Sequence, residues 1–226
     1  MPTHQSLGGA SDEELLDRMV KTYPERFGGE FWTLFASRVA PHLPPRPVTI
    51  DIGCGPGLFL RDFATRYPEA RLFGYDVTPA MVAYARRLSF AAASAEFAVH
   101  DVTTHPLPQP AGSVDLVVMS SVLHVLDEPF PVLAEIRRVL ASNGAFLLID
   151  WIRQPLQKYL AWRRDTVGES EAETQRRGFR LFPAQNKYTT EDWRWLLAEA
   201  GFGIRHQEPW RPLHHVFVTT PTQGPA

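Results

Sequence analysis

The 226-residue chain has a single cysteine, Cys54, so it can form no internal disulfide and no cysteine-rich zinc site. A reducing compartment is the expectation. It has no excess charge of either sign: 23 Lys and Arg stand against 25 Asp and Glu, a formal charge of -2, which advertises no polyanionic partner. No uninterrupted apolar run reaches the roughly 18 residues of a membrane span, and the opening MPTHQSLGGA has neither the basic nor the apolar block of a signal peptide. A cytoplasmic protein with no membrane or nucleic-acid partner, monomeric or homodimeric, is therefore expected. No internal repeat is visible. With 44% hydrophobic and 21% charged positions, the composition is that of one globular domain. A chain of this length buries roughly 70% of its unfolded surface, enough to tolerate a cofactor-sized cleft.

Helix begins at Ser11, where Ser11-Asp12-Glu13-Glu14 reads as a capping box followed by the stripe Leu15, Leu16, Met19 and Val20. A second helix is expected over Glu30 to Ala40, so residues 11–40 form a helical cap, ended by the prolines of Pro41 to Pro47. Strands and helices then alternate through residue 150. Strands are expected at Val48 to Ile52, Leu72 to Tyr75, Glu96 to His100, Val114 to Met119 and Ala145 to Asp150. Helices are expected at Gly57 to Tyr67, Pro79 to about Ser89 and Pro129 to Leu140. Such alternation argues for a parallel sheet covered on both faces. Residues 151–188 break the rhythm and read as a helical insertion. Residues 189–220 resume it with a helix over Thr190 to Ala200 and strands near Ile204 to Gln207 and His215 to Thr219. A few N-terminal residues and Thr222 to Ala226 are expected to be disordered.

The most informative stretch is Asp51-Ile52-Gly53-Cys54-Gly55-Pro56-Gly57, a glycine loop joining a buried strand to a helix. Alternate glycines let a backbone approach a ligand at the carboxyl edge of a sheet. Leu58 stands at the place of the dinucleotide fingerprint's third glycine, and no Gly-Lys-Ser/Thr follows, which excludes a P-loop. Asp51 at the mouth would repel phosphate and attract an ammonium or sulfonium. Asp76, 19 residues after Gly57, can accept the hydroxyls of a ribose, and Asp101 can accept from an adenine amino group.

These residues, together with Asp115 to Val125 (DLVVMSSVLHV) and the turn from Val139 through Gly144 to Ile149, resemble the class I S-adenosylmethionine-dependent methyltransferases that act on small molecules. The resemblance implies an α/β, Rossmann-like doubly wound sheet of seven strands in order 3-2-1-4-5-7-6 with strand 7 antiparallel. Residues 41–150 would be its cofactor-binding core. It implies S-adenosyl-L-methionine contacts from Asp51, Gly53, Cys54, Gly55, Gly57, Asp76, Val77, Asp101, Val102 and Ser120. Cys54 reads as a packing residue there, not a nucleophile, because no base adjoins it.

His124, after the fourth strand, is the candidate general base. Tyr23, Phe27, Trp32, Trp151 and Tyr159 are candidate acceptor-binding residues, since in such families the segments before strand one and after strand five close over the site. His214 and His215 would point to opposite faces of a strand and read as structural, so no metal site is expected. Between Arg153 and Arg180, seven basic residues face four acidic ones, and an arginine among them could recognise an acidic acceptor. The expected function is methyl transfer to a small acceptor in secondary metabolism. The alternatives are a non-methylating reaction such as cyclisation at the same cofactor, a cofactor-binding regulatory module, and, more distantly, a nicotinamide-dependent reductase. Ser120-Ser121-Val122-Leu123 lacks the Asn/Asp-Pro-Pro-aromatic signature of enzymes that methylate base amines or amide side chains.

Overall fold

A computed structural model describes residues 9–91 and 93–222. Their β-branched and aliphatic runs form one sheet of seven strands. The strands are β1 (Val48–Ile52), β2 (Arg71–Asp76), β3 (Ser94–Val99), β4 (Val114–Ser120), β5 (Leu140–Trp151), β6 (Phe202–Trp210) and β7 (His214–Pro221). Their order is β3-β2-β1-β4-β5-β7-β6. β1 lies parallel to β2 and β4, and β7 runs antiparallel to β5 and β6. The parallel strands thus direct Ile52, Asp76 and Ser120 to one rim.

Apolar layers cover both faces. On one, the N-terminal helices α1 (Asp12–Lys21), α2 (Tyr23–Arg26) and α3 (Gly29–Arg38) precede β1, and α4 (Leu58–Arg66) and α5 (Pro79–Ala85) follow β1 and β2. Phe31, Phe35, Phe59 and Phe63 from these helices meet Leu116, Leu147 and Val218 of the sheet in one core. On the other, α6 (Pro129–Val139) and α9 (Thr190–Glu199) pack Val132, Ile136, Trp193 and Leu197 on Ile50, Val117, Leu148 and Phe217. Between β5 and α9 lie α7 (Leu156–Trp162), a wide turn (Arg163–Val167) and α8 (Glu171–Gln185). Among the described residues, no helix is long and apolar enough to cross a membrane.

Several boundaries differ from the sequence reading. Among the described residues, three α-helices precede β1, not two, because Pro24 starts a new turn in α2 and Gly28 precedes α3. α5 stops at Ala85, where 3₁₀-type bonds from Arg87 to Tyr84 and Leu88 to Ala85 replace the helical pattern. β3 is shifted to Ser94–Val99. β5 begins at Leu140, not Ala145, because Leu140 already pairs with Val114 before a register shift. β6 and β7 are longer than read, pairing from Phe202↔Pro221 to Trp210↔His214. Residues 1–8 and 223–226, expected to be disordered, lie outside the described residues. Thr222 is anchored, its amide and hydroxyl donating to the Gly201 carbonyl at 2.8 and 3.0 Å.

Candidate active site

The glycine loop is pinned at the end of β2. The Gly53 and Cys54 amides donate to the Tyr75 carbonyl at 2.7 and 3.1 Å, and the Gly55 amide donates to Asp76 Oδ2 at 2.8 Å. Gly53 has φ +72°, and a Cβ there would lie 2.3 Å from Val122 Cγ2, so only glycine allows the loop to pass under the β4 end. Gly57 caps α4. The methyl of Met19, from α1, lies against Gly55, where a Cβ would come within 2.5 Å of it, so α1 covers the loop.

Two carboxylates sit at this rim. Asp51 is 5% exposed. Burial first, and the neighbouring Asp76 carboxylate second, push it up to about 8, while Arg26 pulls the other way. Asp76 is half-buried and also raised by burial, although the Thr78 and Gly55 amides oppose this. Val77 follows it on the rim. Two desolvated carboxylates beside a glycine cradle suit a cation, and this donor set fits the sulfonium and ammonium of S-adenosylmethionine. Asp101 lies beyond β3. Burial pushes it up, but the Thr103 hydroxyl and amide, at 2.6 and 2.9 Å, hold it below the usual carboxylate range. Val102 is buried beside Ile52 and Tyr75. The Cys54 thiol is pushed up by burial, Asp51 and Asp76, as suits a packing residue and not a nucleophile.

A second group gathers where β4 and β5 end. Ser120 pairs with Ile149, and Ser121 adopts φ +57°, a left-handed conformation costly for a serine. His124, in a 3₁₀ turn (Leu123–Val125), is 1% exposed, and its Nδ1 lies 2.6 Å from Oδ1 of fully buried Asp150. The Trp151 and His124 amides donate to the same carboxylate at 2.7 and 3.3 Å. Trp151 touches His124, His214, Tyr159 and Trp162, with ring centroids 6.2, 4.3, 6.3 and 5.4 Å away. Its indole Nε1 is buried with no partner among the described residues. His214 Nε2 lies 3.5 Å from Ser121 Oγ, and burial lowers this imidazole to about 3, so it is neutral.

The sequence reading named His124 and Trp151, which the structure brings together, but not Asp150, and it read His214 as structural. A lone acid near the end of β5 and a lone histidine at the start of β7 carry no periodic signal. Tyr23 donates its hydroxyl to Asp62 Oδ2 at 2.8 Å, and the Tyr159 hydroxyl donates to Gln185 Oε1 at 2.5 Å. Phe27 packs on Phe31 and Phe59, and Trp32 stacks on Phe59 with Arg66 over its ring, contacts that join α3 to α4. Among the insertion's arginines, Arg163 pairs with Glu169, Arg177 lies 3.8 Å from the same carboxylate, and Arg153 donates to the Asn186 and Lys187 carbonyls. A cleft of about 380 Å³, lined by Pro24, Gly28, Phe31, Trp210 and Arg211 among others, touches neither the glycine loop nor His124.

Sheet order and rim together define a Rossmann-like methyltransferase fold. Residues 50–148 match the family model described as "Methyltransferase domain". Over 108 residues the chain is 37% identical to a malonyl-[acyl-carrier protein] O-methyltransferase of Hahella chejuensis, covering 47% of this chain and 37% of that protein. Over 122 residues it is 32% identical to a trans-aconitate 2-methyltransferase of Methylobacterium nodulans, covering 53% of this chain and 44% of that protein. The chain thus spans less than half the length of these curated relatives. Among solved structures, a SAM-dependent methyltransferase from Aquifex aeolicus superposes with TM-score 0.65 at 19% identity, covering 93% of this chain and 98% of that one. Human N-acetylserotonin methyltransferase in complex with SAM superposes with TM-score 0.63 at 19% identity, covering 99% and 61%. Residues 50–148 are thus similar to a methyltransferase domain, and the chain has the fold of S-adenosylmethionine-dependent methyltransferases.

Proposed function

We propose that this protein transfers a methyl group from S-adenosylmethionine to a small-molecule acceptor. The observation that carries the reading is the pair of desolvated carboxylates, Asp51 and Asp76, at a glycine loop on the rim of a 3-2-1-4-5-7-6 sheet. When bound, the cofactor supplies a methyl group on a positively charged sulfur, open to in-line displacement. Asp51 and the backbone from Gly53 through Cys54 and Gly55 to Gly57 receive its amino-acid end. Asp76 and Val77 receive the ribose, Asp101 and Val102 the adenine, and Ser120 flanks the donor.

The acceptor is read as lying at the ends of β4 and β5. There His124, oriented by Asp150, takes the proton of an acceptor hydroxyl, and the indole N–H of Trp151 donates to it. Tyr23 and Tyr159 close the walls, whereas Phe27 and Trp32 support them through the aromatic layer beneath. Oxygen acceptors are favoured because one relative is named a malonyl-[acyl-carrier protein] O-methyltransferase. A secondary metabolite as acceptor belongs to the same proposal. The protein acts in the cytoplasm as a monomer or homodimer, without nucleic acid.

The test is calorimetric titration with S-adenosylmethionine and S-adenosylhomocysteine, followed by turnover on a panel of small hydroxylated and carboxylated acceptors. Saturable binding with S-adenosylhomocysteine formation is expected. Binding followed by a rearranged acceptor without S-adenosylhomocysteine would favour the non-methylating alternative.

A further inference from the structure

We propose that the outer face shared by α6 and α9 is a homodimer interface, where two copies of this chain meet about a two-fold axis and each seats Trp195 in the other's α6–α9 groove. The inference is independent of the proposed function.

Exposed aromatic surface marks the place. Phe130 of α6 is 39% and Trp195 of α9 is 57% exposed, and their rings meet edge-on with centroids 5.9 Å apart. Both face outward because each helix gives its opposite stripe to the sheet: Val132, Leu133 and Ile136 from α6, and Trp193, Leu196 and Leu197 from α9. Trp195 thus adds nothing to that core, whereas tryptophan and phenylalanine are enriched at the centres of protein interfaces. Beside the ring pair lies a groove of about 590 Å³, lined by Phe130, Ala134, Ala200 and Pro221, with Arg137 and Glu199 along it. The short side chains of Ala134 and Ala200 leave room there for an indole. Knob and groove occupy one patch, and an isologous contact requires such a patch, since both copies supply both halves of every pair.

Charge identifies the occupant. On these two helices Arg138 pairs with Glu135, Arg194 lies 3.8 Å from Glu191, and Asp192 caps its own helix through Thr189. What remains is one charge of each sign, Arg137 and Glu199, which line the same groove and have no ion-pair partner among the described residues. Arg137 is already held in place: its Nη2 donates to the Thr222 carbonyl at 3.2 Å, and its side chain lies against Gly201, where a Cβ would come within 2.8 Å of Nε. An acidic partner would suit Arg137 and repel Glu199, and a basic one the reverse. A second copy suits both, because the two-fold axis brings Arg137 of each copy to Glu199 of the other. The patch also lies on the sheet face opposite the N-terminal helices, so pairing there leaves α1 over the glycine loop.

The test is sedimentation equilibrium over the micromolar range on the wild type, Trp195→Lys, Arg137→Glu, Glu199→Arg and the double charge reversal. The wild type should sediment as a dimer that dissociates on dilution. Trp195→Lys should raise the dimer Kd about thirtyfold or more, the effect of losing a central interface tryptophan. Each single reversal sets like charges against each other at two symmetric points and should raise the Kd about tenfold or more, whereas the double reversal should return it to within about threefold of the wild type. All three residues are exposed, and recovery in the double variant separates a lost contact from a lost fold. A wild type that stays monomeric at every concentration would overturn the inference and leave this face to a different protein. A dimer that Trp195→Lys and both single reversals leave intact would place the interface elsewhere, and a double variant no tighter than the singles would overturn the two-fold pairing.

Discussion

His124 and Asp150 form a buried imidazole–carboxylate pair, Nδ1 to Oδ1 at 2.6 Å, reaching from the loop after β4 to the end of β5. A carboxylate only accepts, so the ring bonded to it carries a proton on Nδ1, and it is Nε2 that takes the acceptor's proton in the proposed reaction. His124→Ala should lower turnover by about 10²- to 10⁴-fold, the usual share of a general base, with cofactor affinity unchanged. Asp150→Asn should lower turnover and alter the pH–rate profile. Asp150→Ala should also cost about 3–5 kcal/mol in denaturant titration, because it strands a buried polar partner. Normal turnover of His124→Ala across the pH range would reduce the pair to scaffolding.

Asp51 makes cofactor affinity depend on pH. Its carboxyl is raised to about 8 by burial and by Asp76, so in the empty site it is mostly protonated at pH 6. A bound cation favours the ionised form, so binding between pH 6 and 8 releases a proton. Affinity for S-adenosylmethionine should rise over that window by up to about tenfold per pH unit and flatten above it. The empty protein behaves oppositely. A folded-state value above the ordinary 3.8 means that this group's stabilisation is complete below about pH 4 and lost as pH rises through 8. The rise in Tm produced by the ligand should therefore grow from pH 6 to pH 8. Asp51→Asn should abolish the slope in both measurements.

The core of this site was legible because its chemistry is local. A glycine loop between a β-branched run and a helix, then an acid at the next strand's end, occupies a short stretch of chain, and strand–helix alternation implies where it lies on the sheet. The acceptor side was less legible because its residues meet only through the sheet. Asp150 and His214 are brought together by the β5–β7 pairing, in which Asp150 lies opposite His215 and Trp151 opposite His214. Neither lies near His124 in sequence. The N-terminal helices were read from their apolar stripe, but that stripe does not say that Met19 lies on Gly55. The aromatic residues were ambiguous for the same reason: helical spacing is equally consistent with Trp32 packing on Phe59 and with a pocket wall.

Asp76 carries two duties that can be separated. Its Oδ2 accepts from the Gly55 amide and its Oδ1 from the Thr78 amide, both at 2.8 Å, so it staples the glycine loop to the start of α5. Asp76→Ala should cost about 1–3 kcal/mol in stability from the orphaned amides, and about 1.5–3 kcal/mol in S-adenosylhomocysteine affinity if the carboxylate also accepts the ribose hydroxyls. The 2′-deoxy analogue isolates the second duty, since the wild type should bind it more weakly while Asp76→Ala should not distinguish the two ligands. A variant that loses stability but keeps full affinity would leave Asp76 with the staple alone.

Gly53 and Val122 should prove energetically coupled. A Cβ on Gly53 would lie 2.3 Å from Val122 Cγ2, and the backbone there has φ +72°. Gly53→Ala thus incurs two costs: about 1–2 kcal/mol for placing an L-residue in the left-handed region, and about 1–3 kcal/mol for overpacking against a β-branched side chain that cannot swing away. Only the second depends on Val122. In a Val122→Ala background, Gly53→Ala should therefore be less destabilising by about 1–3 kcal/mol, read from denaturant midpoints at constant m. Cofactor affinity should follow the same cycle, because the displaced loop carries the amides of Gly53 and Cys54 that bond the Tyr75 carbonyl. Additive costs would mean that the loop yields as a unit, and that the close approach of β1 and β4 at this rim is not what requires a glycine.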